Sequence, residues 1–210
     1  MVYSLTINKN SELETFVIST FQQLDEFYEL NWIYNKPKVI VIEETDLSVV
    51  NSDKELFRYP GATGWVGNGN VYVVNKDLYA KMMGTDQLEE RYKKLIKHEL
   101  SHCFYQILSK YNSKPDWLWE GCAVYLSEQL NLKNKPEIFT DFLNHFEPTI
   151  DGSVYQESGF VVEKLVKTFG KEKLLMLIKG LPENKSSESF DKLFYTTYGF
   201  KLSYESINNL

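Results

Sequence analysis

The 210-residue chain lacks the features that mark several classes of protein. With only two cysteines, Cys103 and Cys122, it is not a small secreted domain held together by several disulfides. Each cysteine lies in an apolar helical pattern, so we expect both to be small residues of the core. No segment approaches the roughly 20 apolar residues that a membrane-spanning helix needs. The net charge is −6 and no long run of Lys or Arg occurs, so nucleic acid is not an expected partner.

A targeting signal is also missing from the start of the sequence. Residues 1–7 contain neither the basic cluster nor the long apolar run of a secretory signal peptide. A cytoplasmic location is therefore the default expectation. An extracytoplasmic location stays open for a sequence from which a signal peptide has been removed. The length suits one domain that is large enough to bury a core.

Short β-branched segments occupy the first part of the sequence, and helical patterns follow them. We predict strands at residues 2–7 and 38–42, where apolar residues alternate or form a short run. The segment Gly67-Asn68-Gly69-Asn70 separates the apolar segments 61–66 and 71–74, and it predicts a hairpin because Gly and Asn tolerate positive φ. Further along, the apolar spacing and the Gly and Pro residues between segments predict helices at about 76–83, 87–111, 117–131, 136–146, 154–168, 171–180 and 187–196.

Strands followed by helices are typical of the α+β class. We therefore expect an α+β fold with one domain over residues 1–210. Residues 1–80 would form a small mixed α/β subdomain whose edge hairpin lines a cleft. Residues 81–210 would form a mostly helical subdomain.

Residues His98-Glu99-Leu100-Ser101-His102 match the pattern H-E-x-x-H. On a helix, positions i and i+4 lie on one face about one turn apart, so two imidazoles can hold one metal ion. The glutamate lies beside that pair, where it can reach a water molecule without being a ligand and act as a general base. An apolar stripe at helical spacing runs through this segment and predicts the helix that the motif needs. The alternative is a pair of histidines on a long helix with no metal.

Glu120 is the candidate for a third ligand. A helix is predicted to begin after Pro115, with Asp116 as its N-cap. A short turn near residues 111–114 would bring this helix back beside the histidines, and Gly121 permits the two helices to approach closely. Two histidines and one carboxylate, with a fourth position left for water, are the ligands of a catalytic zinc site.

Together these segments resemble the gluzincin superfamily of zinc metallopeptidases, the thermolysin-like or peptidase MA-like proteins. The resemblance rests on H-E-L-S-H, followed after 17 residues by Glu120 within W-L-W-E-G-C-A, and it covers about residues 90–128. It implies a zincin-like fold and one Zn²⁺ per chain, held by His98, His102 and Glu120. It also implies that Glu99 activates the metal-bound water for hydrolysis of a peptide or protein substrate.

The resemblance further implies a hydrogen-bond donor in the C-terminal half that stabilises the oxyanion formed in the reaction. Tyr155 is the first candidate for this catalytic role. His145, the remaining histidine, is the second. Each could equally be an ordinary residue of its helix.

An extended substrate would lie along the strand near Val71–Val74 and pair with it as an added strand. The residues expected to contact the substrate are Gly64, Trp65, Val71, Tyr72 and Val73. Trp65, Tyr72 and Trp119 would either shape pockets for substrate side chains or be plain core residues.

The sequence departs from known gluzincins at two places. Thermolysin has an Asp four residues after its glutamate ligand, and Val124 stands there in this chain. No partner for the zinc histidines is therefore assigned. The G-A-M-E-N motif of the aminopeptidases is replaced by Gly61-Ala62-Thr63-Gly64-Trp65, which lacks the glutamate that reads the substrate amine. An endopeptidase is therefore favoured over an aminopeptidase.

Other functions remain open at this stage. The chain could be a non-catalytic metal-binding domain or a protein-interaction domain that keeps the zincin fold. It could also be a metal hydrolase that acts on a bond other than a peptide bond. The sequence does not predict the oligomeric state.

Overall fold

The computed structural model of the protein describes residues 11–53, 58, 60–84, 88–145, 154–183 and 186–210. Within them the helices are α1 (Ser11–Tyr28), α2 (Leu47–Ser52), α3 (Lys76–Met83), α4 (Leu88–Leu108), α5 (Asp116–Leu126), α6 (Val154–Phe169), α7 (Lys171–Gly180), α8 (Ser187–Tyr198) and α9 (Tyr204–Asn208). Short 3₁₀ segments lie at Glu44–Asp46, Gln129–Leu132, Phe142–His145 and Leu181–Glu183. The small sheet precedes a mostly helical remainder, which confirms the predicted α+β class. The strand predicted at residues 2–7 lies outside the described residues.

Three strands, β1 (Val39–Ile42), β2 (Gly64–Gly67) and β3 (Asn70–Val74), form a mixed sheet in the order β1-β3-β2. β1 pairs with β3 in parallel, and β2 pairs with β3 antiparallel. β2 and β3 form the predicted hairpin, whose turn residues Asn68 and Gly69 have φ values of 47° and 71°. β3 is therefore the central strand. The outer edge of β2 pairs with no other strand in the described part of the chain.

Helix α4 is the central element of the fold. It packs against β2 and β3 on one side and against α1 and α5 on others. Ile96, Leu100 and Phe104, spaced by four residues, are completely buried and form the predicted apolar stripe. Cys103 and Cys122 are free thiols buried in the core, as predicted. Burial raises the pKa of the Cys103 thiol to about 12.

Helices α5 and α6 cross very closely, and this contact places the start of α6 beside α5. A Cβ atom on Gly121 would lie 2.7 Å from the carbonyl oxygen of Ser158. Only a residue without a side chain permits this approach. Gly121 permits a close helix approach, as predicted, but the helix that approaches it is α6. No helix among the described residues is both long and apolar enough to cross a membrane.

The helix predicted at residues 136–146 is wrong, because only the 3₁₀ segment Phe142–His145 forms there. The backbone N–H groups of residues 139–142 instead donate hydrogen bonds to side chains from other helices. The N–H of Phe139 donates to Asn208, and those of Thr140, Asp141 and Phe142 donate to Glu157. A helix would need these groups for its own ladder.

The helix predicted at 117–131 is correct at its start and too long at its end. Helix α5 ends at Leu126, and Glu128 has a left-handed φ of 60° that interrupts the helix before the 3₁₀ segment Gln129–Leu132. Asp116 is the first helical residue instead of the N-cap, a position that Pro115 occupies. The carboxylate of Asp116 instead accepts a hydrogen bond from Lys114 Nζ at 2.8 Å.

Candidate metal centre

Two imidazoles of α4 lie side by side at the interface between α4 and α5. His98 and His102 lie one turn apart on the same side of the helix, and their Nε2 atoms are 3.1 Å apart. Both side chains are almost completely buried. The two rings are perpendicular to each other and therefore do not stack.

Glu120 of α5 completes a group of three potential ligands. Its Oε2 atom lies 3.2 Å from Nε2 of His98 and 3.5 Å from Nε2 of His102. Ligand atoms 2.0–2.1 Å from a tetrahedral zinc ion are separated by about 3.3 Å, so the triangle has the size of such a site. This group of two histidines and one carboxylate could hold a metal ion.

Glu120 is held in its ionised form. Burial alone would raise the pKa of Glu120, but the neighbouring imidazoles of His102 and His98 lower it far below its ordinary value. Glu120 is therefore a carboxylate, the form that binds metals. Its Oε2 atom is nevertheless buried without a hydrogen bond of good geometry in the described residues. Coordination of a metal ion would explain why a buried carboxylate oxygen has no such hydrogen bond.

Glu99 lies beside this group and is not part of it. Its side chain is buried and interacts electrostatically with His98, His102 and Glu120. Burial raises the pKa of Glu99, and the charge of Glu120 adds to this effect, while the two histidines oppose it. Glu99 is thus a carboxyl group that lies next to the candidate ligands and has a greater proton affinity than a free glutamate.

Gly64 of β2 covers the Glu99 side chain. A Cβ atom at position 64 would lie 3.0 Å from Cγ of Glu99 and 3.0 Å from Cδ1 of Leu95. The glycine therefore allows the edge strand to approach the helix at the level of Glu99. Gly64, predicted to contact substrate, does lie next to the candidate centre.

Trp119, the residue before Glu120, lies flat on the ring of His102. Their ring centroids are 4.0 Å apart and the planes differ by 10°. Tyr105 also packs against Trp119, with the two rings perpendicular and their centroids 5.2 Å apart. The sequence offered Trp119 only as a pocket or core residue. Its contact with His102 depends on how α4 and α5 pack, which no local pattern records.

Tyr155, the first residue predicted to stabilise the oxyanion, lies near the ligands. It is at the start of α6, its ring centroid is 6.4 Å from that of His98, and its side chain is about 39% exposed. Burial raises the pKa of the Tyr155 hydroxyl, and the charges of Glu120 and Glu99 raise it further. The hydroxyl therefore keeps its proton and can donate a hydrogen bond. The side chain of His145 lies outside the described residues.

The predicted pairing of a substrate with the backbone of Val71–Val74 does not fit the sheet. β3 is paired on both edges, so a substrate has no free backbone groups to pair with near Val71–Val74. Val71 and Val73 are completely buried in the core. Trp65 and Tyr72 stack on each other with centroids 5.5 Å apart. Because side chains alternate along a strand, Trp65 points to the sheet face opposite to that of Gly64, away from Glu99.

Comparison with known proteins adds no relative. No protein-family model matches the chain, and neither a curated protein nor a solved structure is significantly similar to it.

Proposed function

We propose that this protein is a zinc-dependent peptidase of the gluzincin kind, with Zn²⁺ held by His98, His102 and Glu120. The observation that carries the proposal is the position of Glu99, a buried carboxyl group directly beside the three ligands but outside their set. A site that only holds a metal for stability has no need of this fourth group. A base next to an open metal position is what hydrolysis requires.

The residues of the chain divide the chemistry among them. Bound zinc would lower the pKa of a water molecule and polarise the scissile carbonyl. Glu99 would take a proton from the water molecule and later pass it to the leaving amine. The protonated hydroxyl of Tyr155 would donate a hydrogen bond to the carbonyl oxygen as negative charge develops on it.

The outer edge of β2 is the proposed binding surface for an extended substrate. The N–H of Val74 donates to the carbonyl of Thr63, so Thr63 and Val74 form a hydrogen-bonded pair. Hydrogen-bonded and non-hydrogen-bonded pairs alternate in an antiparallel ladder, so Gly64 and Val66 turn their backbone groups to the outer edge. A peptide that pairs with these groups would pass directly over Glu99, beside Gly64. Binding along the middle of a peptide favours an endopeptidase.

Peptide hydrolysis by the Glu99→Gln variant tests the proposal. The zinc-loaded wild type should cleave members of a mixed peptide library, and Glu99→Gln should lower kcat by about 10²- to 10⁴-fold with its zinc content unchanged. Glu90→Gln, on the exposed side of the same helix, is the matched control and should keep full activity. Full activity of Glu99→Gln with zinc bound would rule out this mechanism. A wild type that binds zinc but cleaves no peptide would favour a non-catalytic metal-binding domain.

A further inference from the structure

The helix side that carries His98 and His102 continues toward the C-terminal end of α4. His98, His102 and Gln106 are spaced by four residues and therefore form one row on the helix surface. Gln106 is partly exposed one turn beyond His102. The side of the helix that carries the metal ligands thus extends to a residue that can contact a ligand.

Strand β2 runs alongside this part of the helix in the same direction. It starts at Gly64, against Leu95 and Glu99, and its last residue, Gly67, lines the same cavity as Gln106. Three steps along a strand and seven along a helix each cover about 10 Å, so the two elements stay in register over this length. A peptide paired with β2 at the level of Glu99 therefore reaches this cavity two or three residues later.

The cavity is a depression that is largely open to solvent, and its volume of about 410 Å³ leaves room for an amino-acid side chain. Its lining residues are Val66, Gly67, Asn68, Gly69, Gln106 and Tyr111. None of these residues carries a charge. The glycines leave the hairpin backbone uncovered, and the largest apolar surface in the lining is the ring of Tyr111.

The backbone of Tyr111 is fixed, while its side chain is about 70% exposed. Its backbone N–H donates to the carbonyl oxygen of Gln106 at 2.8 Å. This hydrogen bond fixes the backbone of Tyr111 just beyond the end of α4. An exposed aromatic ring gains most when another apolar group covers it. A charged side chain in the same place would lose hydration without gaining a partner of opposite charge.

We propose that this cavity, between the β2–β3 turn and Tyr111, is a specificity site of the peptidase. It takes the side chain of the substrate residue two or three positions from the scissile bond and selects aromatic or large aliphatic side chains over charged ones. This inference rests on the proposed function and adds the class of substrate that the site prefers. Tyr111 supplies the apolar contact, and Gln106 forms the floor beside the metal ligands.

A peptide library with each position varied on both sides of the cleavable bond tests the inference. At one position two or three residues from that bond, the wild type should cleave peptides with Phe or Leu at least tenfold faster, in kcat/KM, than those with Asp or Lys. Tyr111→Ala should reduce this preference to less than threefold. Tyr195→Ala, which removes another exposed tyrosine ring on α8, is the control and should leave the preference unchanged.

A second variant keeps the test decisive if Tyr111→Ala folds poorly. Gln106→Glu adds a carboxylate to the cavity and should shift the preference at the same position toward Lys and Arg. An unchanged preference in both variants would overturn the inference and leave the proposed function intact. A zinc-loaded wild type that cleaves no member of the library would overturn the proposed function, and this inference with it.

Discussion

The imidazole of His102 lies on the indole of Trp119, 4.0 Å away between centroids and within 10° of parallel. Nδ1 of His102 is buried and has no hydrogen-bond partner in the described residues. Metal-binding histidines are usually oriented by a hydrogen bond from the nitrogen that does not bind the metal. Here the ring of Trp119, itself supported by Tyr105, sets the plane of the His102 ring instead.

Replacing Trp119 should therefore weaken metal binding. We expect Trp119→Leu to lower the affinity for zinc by roughly 10- to 100-fold, the usual loss when a group that orients a ligand is removed. Trp119→Phe keeps a flat ring on His102 and should recover most of the affinity. Competition with a chromogenic chelator measures both constants. Equal affinities for Trp119→Leu and wild type would show that stacking does not orient His102.

Glu99 and Gly64 are linked in the same direct way. Gly64→Ala adds a methyl group 3.0 Å from Cγ of Glu99 and from Cδ1 of Leu95, so these side chains must shift by a few tenths of an ångström. We expect this variant to bind zinc as wild type does and to lose up to about tenfold in kcat, because a displacement of 1 Å can cost about a hundredfold. Peptide hydrolysis and zinc content, measured on the same sample, separate the two effects.

Val66→Ala provides the comparison for Gly64→Ala. It changes an apolar side chain of the same strand, two residues from Gly64 and on the same face of the sheet. Its kcat on a peptide without selected side chains should fall less than that of Gly64→Ala. A Gly64→Ala enzyme as active as wild type would mean that Glu99 does not need its present position.

Glu157 of α6 holds the segment Thr140–Phe142 in place. Its buried carboxylate accepts the backbone N–H groups of Thr140, Asp141 and Phe142 at 2.8–3.0 Å. Glu157→Gln turns one acceptor oxygen into a donor that faces these N–H groups. We expect the free energy of unfolding to fall by about 2 kcal/mol or more, measured by urea denaturation.

The exposed pair of Glu188 and Lys192 supplies the control for this substitution. Glu188→Gln removes the same charge from a side chain that is 81% exposed, and it should leave the free energy of unfolding nearly unchanged. If both variants were equally stable, the hydrogen bonds to Glu157 would contribute nothing to the fold.

The candidate centre was accessible from the sequence because its parts are local. The spacing of His98 and His102 fixes their geometry on any helix, and Pro115 marks where the helix with Glu120 begins. The strand edge that stays open in the sheet was not accessible. Val71–Val74 is an apolar run, but which edge of it is covered depends on the order of strands in the sheet.

Long-range hydrogen bonds account for the clearest failure among the helices. Residues 136–146 have apolar residues at helical spacing, yet Asn208 and Glu157, which are distant in sequence, take the N–H groups of Phe139 to Phe142. Competition from distant acceptors cannot be read from the segment itself. The contact of Trp119 with His102 was missed because it depends on how α4 packs against α5, which is also a long-range feature.

The metal content of the purified protein tests the central claim most directly. Elemental analysis should find about one zinc per chain in wild type, a sharp loss in His98→Ala and Glu120→Ala, and no loss in His145→Ala, which removes the one histidine outside the group. Wild-type protein without stoichiometric metal, even after zinc is supplied, would contradict the account and leave His98, Glu99, His102 and Glu120 without a metal to serve.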